Sequence, residues 1–202
     1  CSRFWIILFK TILSKLYHWK IYVVGSVEYQ YPNHLFQAGY FLDKKYYDEN
    51  TIDFKHLLLS EKNQSLLKDI QNSNSVGVHI RRGDYMTKQN LVIFGNICTQ
   101  KYYHDAIRII TEKVNDAVFY VFSDDISWVQ THLDIPNAVY VNWNTGESSI
   151  YDMYLMSSCK YNIIANSTFS YWAARLNKKT NMVIYPSKWY NTFTPDIFPE
   201  SW

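Results

Sequence analysis

"VGVHIRRGDY", residues 76–85, decides how the rest of the chain is read. Ser75–Ile80 is a short run rich in branched apolar residues, the pattern of a strand buried on both faces. Arg81, Arg82 and Asp84 follow at once, with His79 inside the run. Two adjacent guanidiniums at the mouth of a buried strand raise the question of which anion they meet.

The same rhythm repeats downstream. "TQKYYHDAIRIITEKV" is predicted as a helix, with Tyr103, Ala106, Ile107 and Ile110 at helical spacing. "AVFYVF", "AVYV", "YNIIA" and "NMVIYP" are predicted strands; "DISWVQTHL", "SSIYDMYLMSSC" and "STFSYWAARLN" are the helices between them. Ser149-x-x-Asp152 resembles a capping box. Strands alternating with helices mean βαβ units, so the fold class is α/β with a parallel sheet covered on both faces. Ligands of such sheets sit beyond the carboxyl ends of the strands. That rule gathers "RRGDY", "SDD" and "NSTFS" on one rim.

Upstream the pattern is less regular. "CSRFWIILFKTILSKLYHW" places Trp5, Leu8, Phe9, Ile12 and Leu16 at helical spacing. Lys10, Lys15 and Lys20 keep it short of a membrane span. It reads first as a core-facing amphipathic helix and second as a peripheral membrane helix. "IYVVG" is a short strand candidate, followed by a loop containing tyrosine and proline. "SEKNQSLLKDIQ" is a helix with Leu66, Leu67 and Ile70 on one side, and the polar "NSNS" at 72–75 marks a boundary. Residues 1–72 and 73–202 are therefore expected as two lobes.

Composition narrows the class of partner. A net charge of +2 lacks the basic excess of a nucleic-acid binder. The chain is 18% aromatic, which suits packed cores and also surfaces on which sugar rings stack. Cys1, Cys98 and Cys159 have no metal-ligand spacing and form no disulfide framework, which fits a reducing setting. Sequons at Asn63 and Asn166 are read as chance occurrences. Dinucleotide, P-loop, nucleophile-elbow and zinc-protease motifs are all lacking. The embedded "RGD" follows a buried strand and is read as coincidence.

Each cluster on the rim has two readings. Arg81 and Arg82 could clamp a diphosphate, or Asp84 could pair internally with one of them. Ser167 or Thr168 would cap a helix whose first N–H groups form an anion site. Asp124 and Asp125 could bind a divalent metal, accept hydrogen bonds from a guanine edge, or cap the following helix. Arginines already at the phosphate position make a metal partly redundant, which favours the base.

"VGVHIRRGDY", "VFSDDISWVQ", "DMYLMSSCKYNIIANSTFSYWAARLN" and "FPESW", with "QAGYFLDKKYYDE" upstream, closely resemble the α-1,2-fucosyltransferases of glycosyltransferase family 11. The resemblance runs from about residue 35 to the end. The family's glycine-rich opening segment has no counterpart here, so an N-terminal part is expected to be missing. The resemblance implies a GT-B-type fold of two Rossmann-type lobes, with residues 73–202 binding the donor and 1–72 left from the acceptor side. It implies inverting, metal-independent transfer of L-fucose from GDP-fucose to the 2-hydroxyl of a galactose-containing glycan, with no cofactor. Carried over by position, Arg81 and Arg82 meet the diphosphate, and His79 and Asp124 contact guanine. Asn166, Ser167, Thr168 and Phe169 cradle the β-phosphate. Asp84 is the candidate weak base or a buttress of the arginines. Bacterial enzymes of this kind act at the cytoplasmic face of the membrane, which the N-terminal helix would suit. A transferase for another GDP-sugar and a non-catalytic glycan-binding module are the alternatives.

Overall fold

The computed structural model describes residues 53–202, the backbone of β1 (Tyr22–Gly25) and β2 (Phe36–Gly39), and Ile12 and Lys15. Apart from Ile12 and Lys15, the expected N-terminal amphipathic helix lies outside the described residues. β1 corresponds to the predicted "IYVVG" strand and pairs parallel with β2, which falls in a stretch read as loop. The chain divides into two compact units, Cys1–Asp48 with Pro195–Ile197, and Glu49–Thr194 with Phe198–Trp202.

The larger unit is built on β3 (Asn74–Ile80), β4 (Ala117–Ser123), β5 (Ala138–Val141), β6 (Tyr161–Ile163) and β7 (Met182–Ile184). All five strands are parallel, in the order β5-β4-β3-β6-β7. From β3 the chain winds outward to β5, then returns to the other side of β3 through β6. The winding reverses between β3 and β6, at the carboxyl end of the stretch read first in the sequence. This is a Rossmann-like arrangement, and such a reversal opens a crevice for ligand.

The sequence dictates two cores. Val76, Val78 and Ile80 of β3 pack with Tyr103, Ile107 and Ile110 of α3 (Gln100–Lys113). On the opposite face Tyr120 and Phe122 of β4 meet Leu66 and Ile70 of α1 (Glu61–Asn72) and Leu155 and Met156 of α5 (Ser149–Ser157). Each such side chain, fully buried, stabilises the fold by roughly 1.5–3 kcal/mol. Helix α1 thus lies in the same compact unit as the sheet. Gly77, at the centre of β3, is set by close approach: a Cβ there would stand 2.8 Å from Asn162 Nδ2 and 3.0 Å from Met156 Cγ.

Side-chain caps start most of these helices. Ser60 accepts from Asn63 N at α1, Thr99 from Tyr102 N at α3, and Asp125 from Trp128 N at α4 (Ile126–His132). The short helix α2 (Lys88–Phe94), absent from the sequence reading, is capped by Thr87. The capping box expected at Ser149 and Asp152 does not form. The N-cap is Ser148, without a side-chain bond, and Asp152 turns elsewhere. Cys98 and Cys159 are free thiols. Among the described residues no helix is long and apolar enough to cross a membrane.

Candidate active site

The alternation of β3 continues past its last residue and splits the two arginines. His79 and Arg81 line a cavity of about 570 Å³ above β3, β4 and β5, together with Phe122, Val141, Asn144, Asp152 and Phe169. Ile80 and Arg82 line a second cavity of about 230 Å³ with Tyr103, Trp128 and Tyr85, and Arg81 reaches into this one too.

Both guanidiniums are held by carboxylates. Arg81 Nη1 pairs with Asp124 Oδ2 at 2.8 Å and its Nη2 with Asp84 Oδ1 at 2.6 Å. The Arg82 backbone N–H donates to Asp124 Oδ1 at 2.9 Å, and its Nε to Asp125 Oδ2 at 3.2 Å. The Arg82 guanidinium also lies 3.6 Å over the Trp128 ring, a cation–π contact. The internal pairing expected of Asp84 is therefore present. Both oxygens of Asp124 are committed to the arginine turn. Gly83 makes this possible, since a Cβ there would sit 2.5 Å from Asp124 Oδ2. The Arg81 side chain remains 33% exposed, so its guanidinium faces the cavity while clamped.

His79 is 5% exposed, and its ring lies 4.9 Å from that of Phe169, across the switch point. Its Nδ1 is buried without a hydrogen-bond partner among the described residues. Burial, aided by the Arg81 charge, pushes the imidazole down to about 3. The ring is neutral at physiological pH, and so no proton carrier there.

The third rim segment behaves differently along its length. Asn166 is 2% exposed, and its amide donates to Phe94 O at 3.2 Å and Trp189 O at 3.0 Å. Its side chain ties the loop together and is not open to a ligand. Ser167 is the N-cap of α6 (Thr168–Arg175), yet its hydroxyl makes no capping bond. Ser170 braces the turn instead, bonding Ala165 and the Ser167 carbonyl. Among the described residues no side chain caps the first N–H groups of α6, which leaves a partial positive charge at the crevice.

Sequence reasoning missed Asp152. It is 9% exposed, lines the larger cavity, and is pushed up to about 7, chiefly by burial. Among the described residues one side chain reaches it: Asn144 Nδ2 donates to Asp152 Oδ1 at 2.6 Å. The available signal was the carboxylate itself, which lies on an otherwise apolar stretch of "SIYDMYLMS". Asn63 was read only as a chance sequon. It is 1% exposed and hydrogen-bonded to Asn144 and Trp143.

A parallel sheet with basic residues at its reversal and a cavity beyond is consistent with a Rossmann-like glycosyltransferase lobe. The family model described as Glycosyl transferase family 11 matches residues 8–202, and the chain belongs to that family. It is 35% identical to an alpha-1,2-colitosyltransferase of Escherichia coli over 193 residues, 88% of this chain and 62% of that protein. It is 44% identical to the O-antigen biosynthesis glycosyltransferase WbnK of Escherichia coli, over 59% of this chain and 40% of that protein. Galactoside alpha-(1,2)-fucosyltransferase 2 of Pongo pygmaeus is 29% identical over 60% of this chain and 37% of its own length. The chain therefore spans less than two thirds of each of these relatives.

Proposed function

We propose that the chain carries the donor site of an inverting, metal-independent α-1,2-fucosyltransferase, which moves L-fucose from GDP-fucose to the 2-hydroxyl of a galactose-containing glycan. The observation that carries this reading is the larger cavity, which has a clamped but partly exposed Arg81 and a buried Asp152 in its walls. Arg81 takes the diphosphate. The uncapped N–H groups at the start of α6, at Thr168 and Phe169, take its terminal phosphate, while the Ser167 N–H is spent on the Ala165 carbonyl at 2.8 Å and Ser167 offers its hydroxyl. The charge that grows on the leaving GDP is met by groups already in place, which stabilises the transition state over the ground state.

Asp152, when ionised, accepts from the N1–H and N2–H₂ donors of guanine. In this reading Asp124 sets the arginine turn and the base contact passes to Asp152. The neutral His79 offers a nitrogen to the nucleotide and packs on Phe169. Arg82, stacked on Trp128, stiffens the turn and supplies a second positive charge. Asp84 holds Arg81, and a late, weak proton transfer from the acceptor hydroxyl is all that is asked of it. Residues before α1 would contribute to the acceptor side, α1 itself belonging with the donor lobe, and the enzyme would work at the cytoplasmic face of a bacterial membrane.

Calorimetric titration with GDP, with transfer assays from GDP-fucose, tests this reading. Arg81→Ala should weaken GDP binding by at least ~10-fold, the loss of a charge-assisted hydrogen bond, without unfolding the chain. Unchanged GDP affinity in Arg81→Ala would sink the reading. The likeness to a colitosyltransferase favours a second version, in which the transferred sugar is colitose. Transfer assays with the fucosyl and colitosyl donors in parallel separate the two.

A further inference from the structure

We propose that Asn63 is a positioning residue for the nucleotide site: it fixes which way the Asn144 amide faces and so holds an N–H against Asp152. The inference rests on the reading of Asp152 as the base contact.

The orientation is dictated by a group that can only donate. The indole N–H of Trp143 meets Asn63 Oδ1 at 2.7 Å, so the oxygen of the Asn63 amide must face it. The Asn63 amide nitrogen is then left to donate to Asn144 Oδ1, at 3.0 Å. In return Asn144 Nδ2 donates to Asn63 Oδ1 at 3.1 Å, closing a reciprocal amide pair. The remaining Asn144 hydrogen goes to Asp152 Oδ1 at 2.6 Å. If the Asn144 amide were flipped, an oxygen would confront the carboxylate, and the pair with Asn63 would be lost as well.

The order is thus Trp143, Asn63, Asn144, Asp152, with each member setting the next. Lys62 covers the Trp143 ring at 3.8 Å from its centroid. The other charged and titratable groups that share the cavity with Asp152 are His79 on β3, Arg81 just beyond its end and Asp124 just beyond the end of β4. Arg81 and Asp124 are paired with each other, and His79 is neutral. Among the described residues the Asn144 amide is therefore the direct donor to this carboxylate. A burial of 99% for a polar side chain on α1 is otherwise unneeded by a helix whose apolar face is Leu66 and Ile70.

The test is GDP affinity by calorimetry between pH 6 and 9 for wild type, Asn63→Ala, Asn144→Ala, the double variant and Asp152→Asn. Wild-type affinity should rise through neutral pH as Asp152 ionises. Asn63→Ala should bind about 5-fold more weakly at pH 7, with the midpoint of the pH profile about one unit higher and affinity recovering at pH 9. The double variant should bind no worse than Asn144→Ala, because both act on the same donor. If Asn63→Ala fails to fold, Asn63→Ser should show the same displaced midpoint. A constant loss at every pH, or losses that add in the double variant, would leave Asn63 as packing for α1 and overturn the proposal. GDP affinity in Asp152→Asn equal to wild type would remove the base reading, and this inference with it.

Discussion

Replacing Asp152 by asparagine should make the protein more stable and a poorer binder, and the stability gain should depend on pH. The carboxyl is 9% exposed and pushed up from 3.8 to about 7, mainly because burial penalises its charged form. The folded state therefore holds a proton between these two values that the unfolded state has released. Stability falls as pH rises across that window and levels off above about 7. Asparagine keeps the shape and the acceptor for Asn144 without the charge. From those two values the advantage of Asp152→Asn over wild type should grow by about 3 kcal/mol between pH 4.5 and pH 8. For a unit of this size that corresponds to roughly 6–12 °C in melting temperature. Urea or thermal denaturation of both proteins at the two pH values measures it, and groups common to both cancel. GDP calorimetry on the same samples should show weaker binding by the variant at pH 8. An advantage that is the same at both pH values would refute the assignment of a buried, protonated carboxyl at 152.

Three further outcomes follow from the same geometry. His79 is pushed down to about 3, so on acidification the unfolded chain takes the proton first. Its contribution is complete above pH ~6.5 and falls by about 3 kcal/mol by pH 4. His79→Phe should flatten the denaturation profile over that range, and an unchanged slope would contradict it. Gly83→Ala should displace the Asp124 carboxylate, loosen both arginines and weaken GDP binding by ~10-fold, read by calorimetry. Arg81→Lys should recover little of the Arg81→Ala loss, because an ammonium cannot span Asp84 and Asp124 as the guanidinium fork does. Full recovery in the binding assay would show that charge alone matters there.

The strands and the helices between them were legible because their periods are strong. Val76, Val78 and Ile80 alternate on β3, and Tyr103, Ile107 and Ile110 recur along α3. The gathering of "RRGDY", "SDD" and "NSTFS" at one rim follows from parallel winding alone. The identities of partners within the rim were not legible. Asp124 looked like a ligand for a base, but Gly83 brings the arginine turn against it. Asn166 looked like part of a phosphate cradle, but its amide is spent on Phe94 and Trp189, distant in the chain. Asp152 matched a local capping pattern whose spacing is right and whose tertiary partner is Asn144. Helix α2 escaped notice because Lys88–Phe94 is short and its end is held by Asn191, about a hundred residues away.

Gly77 never touches the cavity, yet it acts as a spacer for it. With hydrogen alone at that position, Met156 and Cys159 come within 3.3 Å of where a methyl would begin. Met156 is one turn beyond Asp152 on α5, so the depth at which that helix seats on β3 also sets the reach of the carboxylate. An alanine at 77 would press first on the Asn162 amide and then on Met156 of α5, so it strains the seat of the helix that carries Asp152 while leaving every lining residue unchanged. The seat of α5 beside the cavity is thus set from the middle of the sheet, by an atom that is not there.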